Sequence, residues 1–223
     1  MNTLLSFLIL PAICAMCMGS ASAATLTAQL INQNGKPLVG AVLTLQGAAG
    51  RPAVALKADM DQRDKEFVPH VLAVRTGTAV KFPNSDNIRH QVYSFSPAKR
   101  FELRLYGGTP SDPLLFDKPG VVVLGCNIHD WMLGYIYVTD DPWFAVSDSN
   151  GNVTLDQLPA GRYVATLWYP KVADMQPVSG GDMDVPASGL TRRFSLAVDS
   201  GDDPSVAPAP TTFGDAFHKA AHE

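Results

Sequence analysis

One thiol, one imidazole and one thioether stand at three-residue intervals in the stretch GCNIHDWMLGY, as Cys126, His129 and Met132. Soft thiolate and thioether ligands beside imidazole nitrogens favour copper, and two His with one Cys in a plane plus a weak axial Met make a blue-copper site. The stretch supplies three of those four groups. The fourth must come from elsewhere, and PNSDNIRHQVYSFS offers His90, at the end of a loop opened by Asn84 and just before an alternating strand pattern. A buried, inert thiol is the plain alternative for Cys126. Zinc is the other, since it accepts Cys and His readily, but a thioether is not among its usual ligands. The coincidence of four positions favours copper.

The redox setting of Cys126 depends on the start of the chain. Residues 1–23 read as a secretory signal: the apolar run LLSFLILPAICAMCM is followed by GSASAAT, with an A-x-A site at Ala21, Ser22 and Ala23. No Lys or Arg precedes the run. Pro11 interrupts it and it is short for a membrane span, so cleavage is expected rather than an anchor. Neither Cys14, after Ile13, nor Cys17, after Met16, sits in a good lipoprotein box. Cleavage removes both and leaves Cys126 alone in a compartment where cysteines usually pair, so it is buried, paired between chains or committed to a metal.

At 223 residues and 46% hydrophobic composition the chain can fill one large or two small domains. Its formal charge of -4 comes without a Lys/Arg cluster or basic stripe. That argues against nucleic acid and against an anionic membrane surface as partners.

The elements that must position the site read as strands throughout. Leu26, Ala28 and Leu30 share one face of TLTAQLI; the turn NQNGKP follows, centred on Asn34 and Gly35; then AVLTLQ alternates Leu43 and Leu45 with Thr44 and Gln46, which predicts a hairpin. Far downstream, NVTL and RYVATLWY alternate around LPAG, and RRFSLAV places Phe194, Leu196 and Val198 together. Between these groups AVALKADMD, FVPHVLAV, TAVKFPN, HQVYSF, GVVVLGC and MLGYIYVTD form a second strand series that suits a Greek-key sandwich. The 29 residues ahead of it are too few to fold alone. One domain inserted in another is therefore expected, with two consecutive domains as the alternative: residues 24–52 and 141–199 as a discontinuous β-sandwich, 53–140 as the insert and 200–223 as a flexible Pro/Ala/Asp-rich tail. In that tail His218 and His222 stand at i, i+4, a spacing that can serve a metal but here reads as a solvated tail.

Two resemblances follow from these patterns. NGKPLVGAVLTL and DSNGNVTLDQLPAGRYVATLWYP resemble the carboxypeptidase-regulatory-like β-sandwich. The insert, through DKEFVPHVLAVRTGTAVKFPNSDNIRHQV and the C-x2-H-x2-M spacing, resembles the cupredoxins of the plastocyanin and amicyanin group; HQVYSFSPAKRFELRLY and GCNIHDWM are similar to periplasmic methylamine-utilisation-type cupredoxins. The resemblance implies an all-β Greek-key cupredoxin sandwich within a second small sandwich. It also implies a single mononuclear type 1 copper held by His90, Cys126, His129 and Met132, since a binuclear site would need a second loop cysteine. Asp130 stands where the family often has proline after the ligand His.

The function expected on this basis is single-electron transfer in the periplasm by a monomer that is not an enzyme, with a cytochrome or dehydrogenase as redox partner and no membrane contact after signal cleavage. Copper storage or delivery, and a metal-free interaction module, are the other readings. Asn84 is expected to tie the two ligand loops by hydrogen bonds, or to serve only as a turn residue. Trp131 and Asp130 beside His129 are expected at a docking face, although a tryptophan in a β-sandwich is more often core. His70, in VPHVLAV, reads equally as a surface histidine or as support for the site.

Overall fold

The computed structural model describes residues 23–47, 56–110 and 112–199. The proposed signal, all but Ala23, and the tail with His218 and His222 lie outside the described residues. In chain order the strands are β1 (Ala23–Asn32), β2 (Val42–Gly47), β3 (Lys57–Asp59), β4 (Asp61–Arg63), β5 (Glu66–Val68), β6 (Val71–Arg75), β7 (Thr78–Lys81), β8 (Val92–Ser94) and β9 (Phe101–Glu102). There follow β10 (Leu114–Phe116), β11 (Gly120–Cys126), β12 (His129–Thr139), β13 (Trp143–Val146), β14 (Asn152–Pro159), β15 (Gly161–Trp168), β16 (Val178–Val185) and β17 (Leu190–Leu196). The fold is all-β, with one 3-10 turn at Ala173–Met175 among the described residues.

Strand pairing falls into two sets. Strands β1 and β2 pair with strands that follow residue 142, in a three-stranded sheet ordered β14-β1-β17 and a four-stranded sheet ordered β13-β2-β15-β16. Strands β3 to β12 pair only among themselves, in sheets ordered β10-β7-β3, β6-β12-β11-β8-β9 and β4-β5.

The hairpin expected from β1 and β2 does not form. The Asn34-Gly35 turn is present, with Gly35 at φ +79° and the Asn32 side chain accepting from the N–H groups of Asn34 and Lys36. It closes only onto Pro37 and Leu38. The chain then crosses to the opposite sheet, because Val42 to Leu45 are buried in succession and need partners on both edges, which β13 and β15 supply. Strand β1 keeps its own alternation, with Leu26, Ala28 and Leu30 inward, and runs parallel to β17 with Leu30 opposite Phe194.

The five-stranded sheet serves two cores. Successive strand residues point to opposite faces. Accordingly Leu124, Cys126, Ile136 and Val138 face a core with Phe67, Val80, Phe82 and Phe116. Their neighbours Val71, Tyr135 and Tyr137, backed by Val121 and Val123, join the core of the flanking strands. There the rings of Tyr135 and Tyr137 lie 5.7 and 5.4 Å from that of Trp168 in β15. The two strand sets are thus fused through a buried face, not strung on a linker.

Candidate metal centre

Strand β11 ends at Cys126 and β12 begins at His129, the two residues paired across a two-residue turn, Asn127 and Ile128. Directly opposed residues of an antiparallel pair project to the same face. The turn therefore brings a thiol and an imidazole together, with Cys126 Sγ 3.8 Å from His129 Nδ1. Met132 follows on β12, 1% exposed, in the same apolar cluster as Cys126. Cys126 is itself buried at 3% exposure and pairs across the strand with Val92 of β8.

His90 arrives from the loop before β8. Its backbone is locked by two hydrogen bonds with Tyr106, His90 N to Tyr106 O at 3.0 Å and the reverse at 2.9 Å. Its ring is wholly buried, with Nδ1 3.5 Å from Cys126 Sγ. One ligand atom each from His90, Cys126 and His129 lie within 4.8 Å of one another. A buried thiol facing two imidazole nitrogens, with a buried thioether in the same cluster, is a donor set of the soft, nitrogen-containing kind that suits copper. Burial, reinforced by the neighbouring His90 and Lys65, pushes the pKa of His129 below the ordinary imidazole value, so the ring is neutral and its lone pair free for ligation at neutral pH.

Beneath the site a polar cluster closes the end of the sandwich. Tyr106 donates its hydroxyl to Phe82 O at 2.8 Å and accepts from Gln62 Nε2 at 2.7 Å. Burial, with the Cys126 charge adding to it, pushes the phenol up to about 12, so it stays protonated.

Asn84 is placed differently from the expectation. Its side chain donates to Ile88 O at 2.8 Å and Tyr106 O at 3.0 Å and accepts from Asp86 N at 3.0 Å, so it organises the His90 loop and fastens it to the 106–108 segment. The tie to the Cys126 loop is made by Gln91 and Asn127, through backbone at 3.2 Å and side chains at 3.1 Å. The reason is local: an Asn side chain bonds most readily to backbone two to four residues on, and here that backbone belongs to its own loop.

Trp131 is half-buried with its ring 5.4 Å from that of His129, and Asp130 is exposed. Ile128, at the tip of the ligand turn, is 48% exposed and was not singled out by its residue type. His70 stands apart from the cluster, its ring edge-on to Tyr135 at 5.3 Å, where it helps line a cleft of about 810 Å³ between the two strand sets.

One further group was not singled out by the residue pattern. Asp86 Oδ2 lies 2.7 Å from His90 Nε2, on the side of the ring away from Cys126. Burial alone would raise the Asp86 carboxyl, but its bonds to His90 and to the N–H groups of Lys65 and Asp64 hold it below the usual value. Its position four residues before His90 was the one available signal.

No family model and no curated protein matches the chain. Among solved structures it is similar to a Cu-containing nitrite reductase (NirK) from Thermus scotoductus SA-01, with 28% identity and a TM-score of 0.35 over 42% of this chain and 25% of that one. The purple cupredoxin from Nitrosopumilus maritimus matches with 21% identity, a TM-score of 0.33 and coverage of 37% and 99%. Pseudoazurin from Methylobacterium extorquens AM1 matches with 19% identity, a TM-score of 0.33 and coverage of 38% and 76%. These neighbours are cupredoxins in fold. The chain spans only a quarter of the nitrite reductase, and the likeness covers about two fifths of the chain itself. Any assignment of metal ligands rests on the chain's own side chains.

Proposed function

We propose that the protein is a periplasmic type 1 copper protein that carries single electrons between redox partners and makes no covalent change in a substrate. The observation that carries this reading is the convergence of His90, Cys126 and His129 within 4.8 Å around a buried thiol, with buried Met132 in the same cluster. Bound copper would supply a one-electron Cu(II)/Cu(I) couple.

The chain's residues have separate tasks. Cys126 would supply a thiolate, His90 and His129 imidazoles, and Met132 a thioether whose weak donation would help set the potential. They are held on β11, β12 and the loop before β8, so the ligand geometry would need little rearrangement when the charge changes. His129 is the most exposed of the four and is the exit toward a partner. Around it Trp131 and Ile128 provide an apolar centre, and exposed Asp130 disfavours acidic partners. A periplasmic cytochrome or dehydrogenase, met transiently by a monomer, fits a small interface of this kind. The copper-binding unit, residues 53–140, is carried as an insert by the flanking sandwich.

The test is Cu(II) addition to the purified protein. An intense thiolate-to-Cu(II) charge-transfer band at one copper per chain is expected; Cys126→Ser abolishes it, His90→Ala impairs it, and loss of His218 and His222 leaves it intact. Copper uptake without that band, or a band that survives Cys126→Ser, refutes the assignment. Full burial of His90 opposes rapid metal exchange. Wild-type protein that yields copper to a mild chelator faster than it exchanges electrons is a delivery protein instead.

A further inference from the structure

His90 is gripped on both of its nitrogens. Toward the site, Nδ1 faces Cys126 Sγ; away from it, Nε2 meets Asp86 Oδ2 at 2.7 Å. An ionised carboxylate only accepts hydrogen bonds, so in the neutral ring the proton belongs on Nε2 and Nδ1 keeps the lone pair a metal needs. With the ring at 0% exposure, no solvent competes for either nitrogen.

Asp86 is itself fixed. Its Oδ1 accepts from the Asp64 N–H at 2.7 Å and its Oδ2 from the Lys65 N–H at 3.0 Å. Those two N–H groups point at one carboxylate because Asp64 and Lys65 both adopt left-handed backbone, φ 55° and 62°, in the two-residue turn between β4 and β5. Two successive non-glycine residues in that region are uncommon. The conformation suits the twist of a tight hairpin and aims adjacent amides at an anion. The hairpin is anchored by Phe67, 1% exposed and packed against Gly134 of β12. A continuous chain of contacts thus runs from a surface turn through a carboxylate to a buried ligand.

We propose that Asp86 is a positioning residue for the metal centre: held by the Asp64–Lys65 turn, it fixes His90 with Nδ1 toward Cys126, and its negative charge favours the oxidised over the reduced metal ion. This deepens the copper reading and rests on it. A carboxylate behind a ligating imidazole orients the ring and raises its basicity. An added negative charge at that position stabilises the more positive ion, so removing it moves the couple toward Cu(I).

The first measurement uses unmodified, metal-free protein: nitrogen-resolved NMR of the neutral His90 ring is expected to report the proton on Nε2. A ring carrying it on Nδ1 overturns the proposal. The second uses copper-loaded Asp86→Asn, which keeps an acceptor but loses the charge. It is expected to retain the charge-transfer band while its preference for Cu(II) over Cu(I) falls about tenfold, at the low end of the usual effect of such partners, which is a rise of about 59 mV in midpoint potential for one electron. An unchanged potential in folded Asp86→Asn overturns the charge role. Because the ring measurement needs neither copper nor a variant, a misfolded Asp86→Asn does not shield the proposal. A wild type with the Nε2–H ring but no copper band overturns the copper reading while the positioning geometry stands.

Discussion

Replacing Trp168 by Ala in the flanking strands should destabilise the unit formed by β3 to β12 as much as its own surroundings. Trp168 is wholly buried, stacks near Tyr135 and Tyr137, and donates its indole N–H to Met175 O at 2.9 Å. Truncating a fully buried tryptophan costs about 3–5 kcal/mol. With a urea dependence of about 2–3 kcal/mol per molar for a chain of this size, the unfolding midpoint falls by roughly 1–2.5 M. The assay follows the full chain through one urea series by two probes: far-ultraviolet circular dichroism for all the sheets, and reaction of Cys126 with a thiol reagent for the unit formed by β3 to β12. Cys126 is the one cysteine among the described residues and is 3% exposed, so it reacts only when that unit opens. Both midpoints are expected to move together, since the face of the five-stranded sheet that carries Tyr135 and Tyr137 is half of the other core. Cys126 labelling that keeps its wild-type midpoint while the dichroism midpoint falls refutes the fused-core argument.

Three further outcomes are expected. Gly134→Ala would place its Cβ 2.7–2.8 Å from Cβ, Cγ and Cδ2 of buried Phe67, costing about 1–3 kcal/mol in denaturant unfolding; Gly125→Ala, which meets only the outer end of the Tyr93 ring, costs under about 1 kcal/mol because that ring can swing aside. Asn84→Ala strips the side-chain partner from Ile88 O and one of two donors from Tyr106 O and should cost about 1–3 kcal/mol of stability, with copper retention against a competing chelator weakened about tenfold or more. Trp131→Ala should leave the charge-transfer band and midpoint potential nearly unchanged but slow electron exchange with the partner in stopped flow, while Asp130→Asn changes the salt dependence of that rate.

The grouping of Cys126 with His129 and Met132 was legible because these residues sit close enough in the chain for spacing to carry the signal. His90 was legible only through its position ahead of an alternating strand. What surrounds them was not. Asp86 matters because a turn some twenty residues earlier presents two amides to it, and no local pattern encodes that meeting. Of the two readings of Asn84, the turn residue is the nearer, since its side chain bonds backbone of its own loop and does not reach the Cys126 loop. The β1–β2 hairpin failed for a related reason: Asn34-Gly35 announces a reversal but does not say how far the chain runs together afterwards, and the unbroken burial of Val42 to Leu45 sent it to the other sheet. The continuous apolar run GYIYV, whose buried residues include both tyrosines, was the available sign that β12 is covered on both faces.

Strand β12 therefore answers to two sets of neighbours, and its history of substitution should show it. At Ile136 and Val138 an acceptable change is judged by Val122, Leu124 and the aromatic core below the metal centre; at Tyr135 and Tyr137 it is judged by Trp168 and the flanking strands. Among descendants of this chain, replacements at the odd positions should travel with replacements around Trp168, and those at the even positions with residues beneath the ligands, as two interleaved records in one ribbon. Transplanting the ligand loop to another scaffold is then a question of where to cut β12. A cut after Met132 carries Cys126, His129 and Met132 alone, whereas one after Val138 also carries two tyrosines that need a foreign sandwich to cover them.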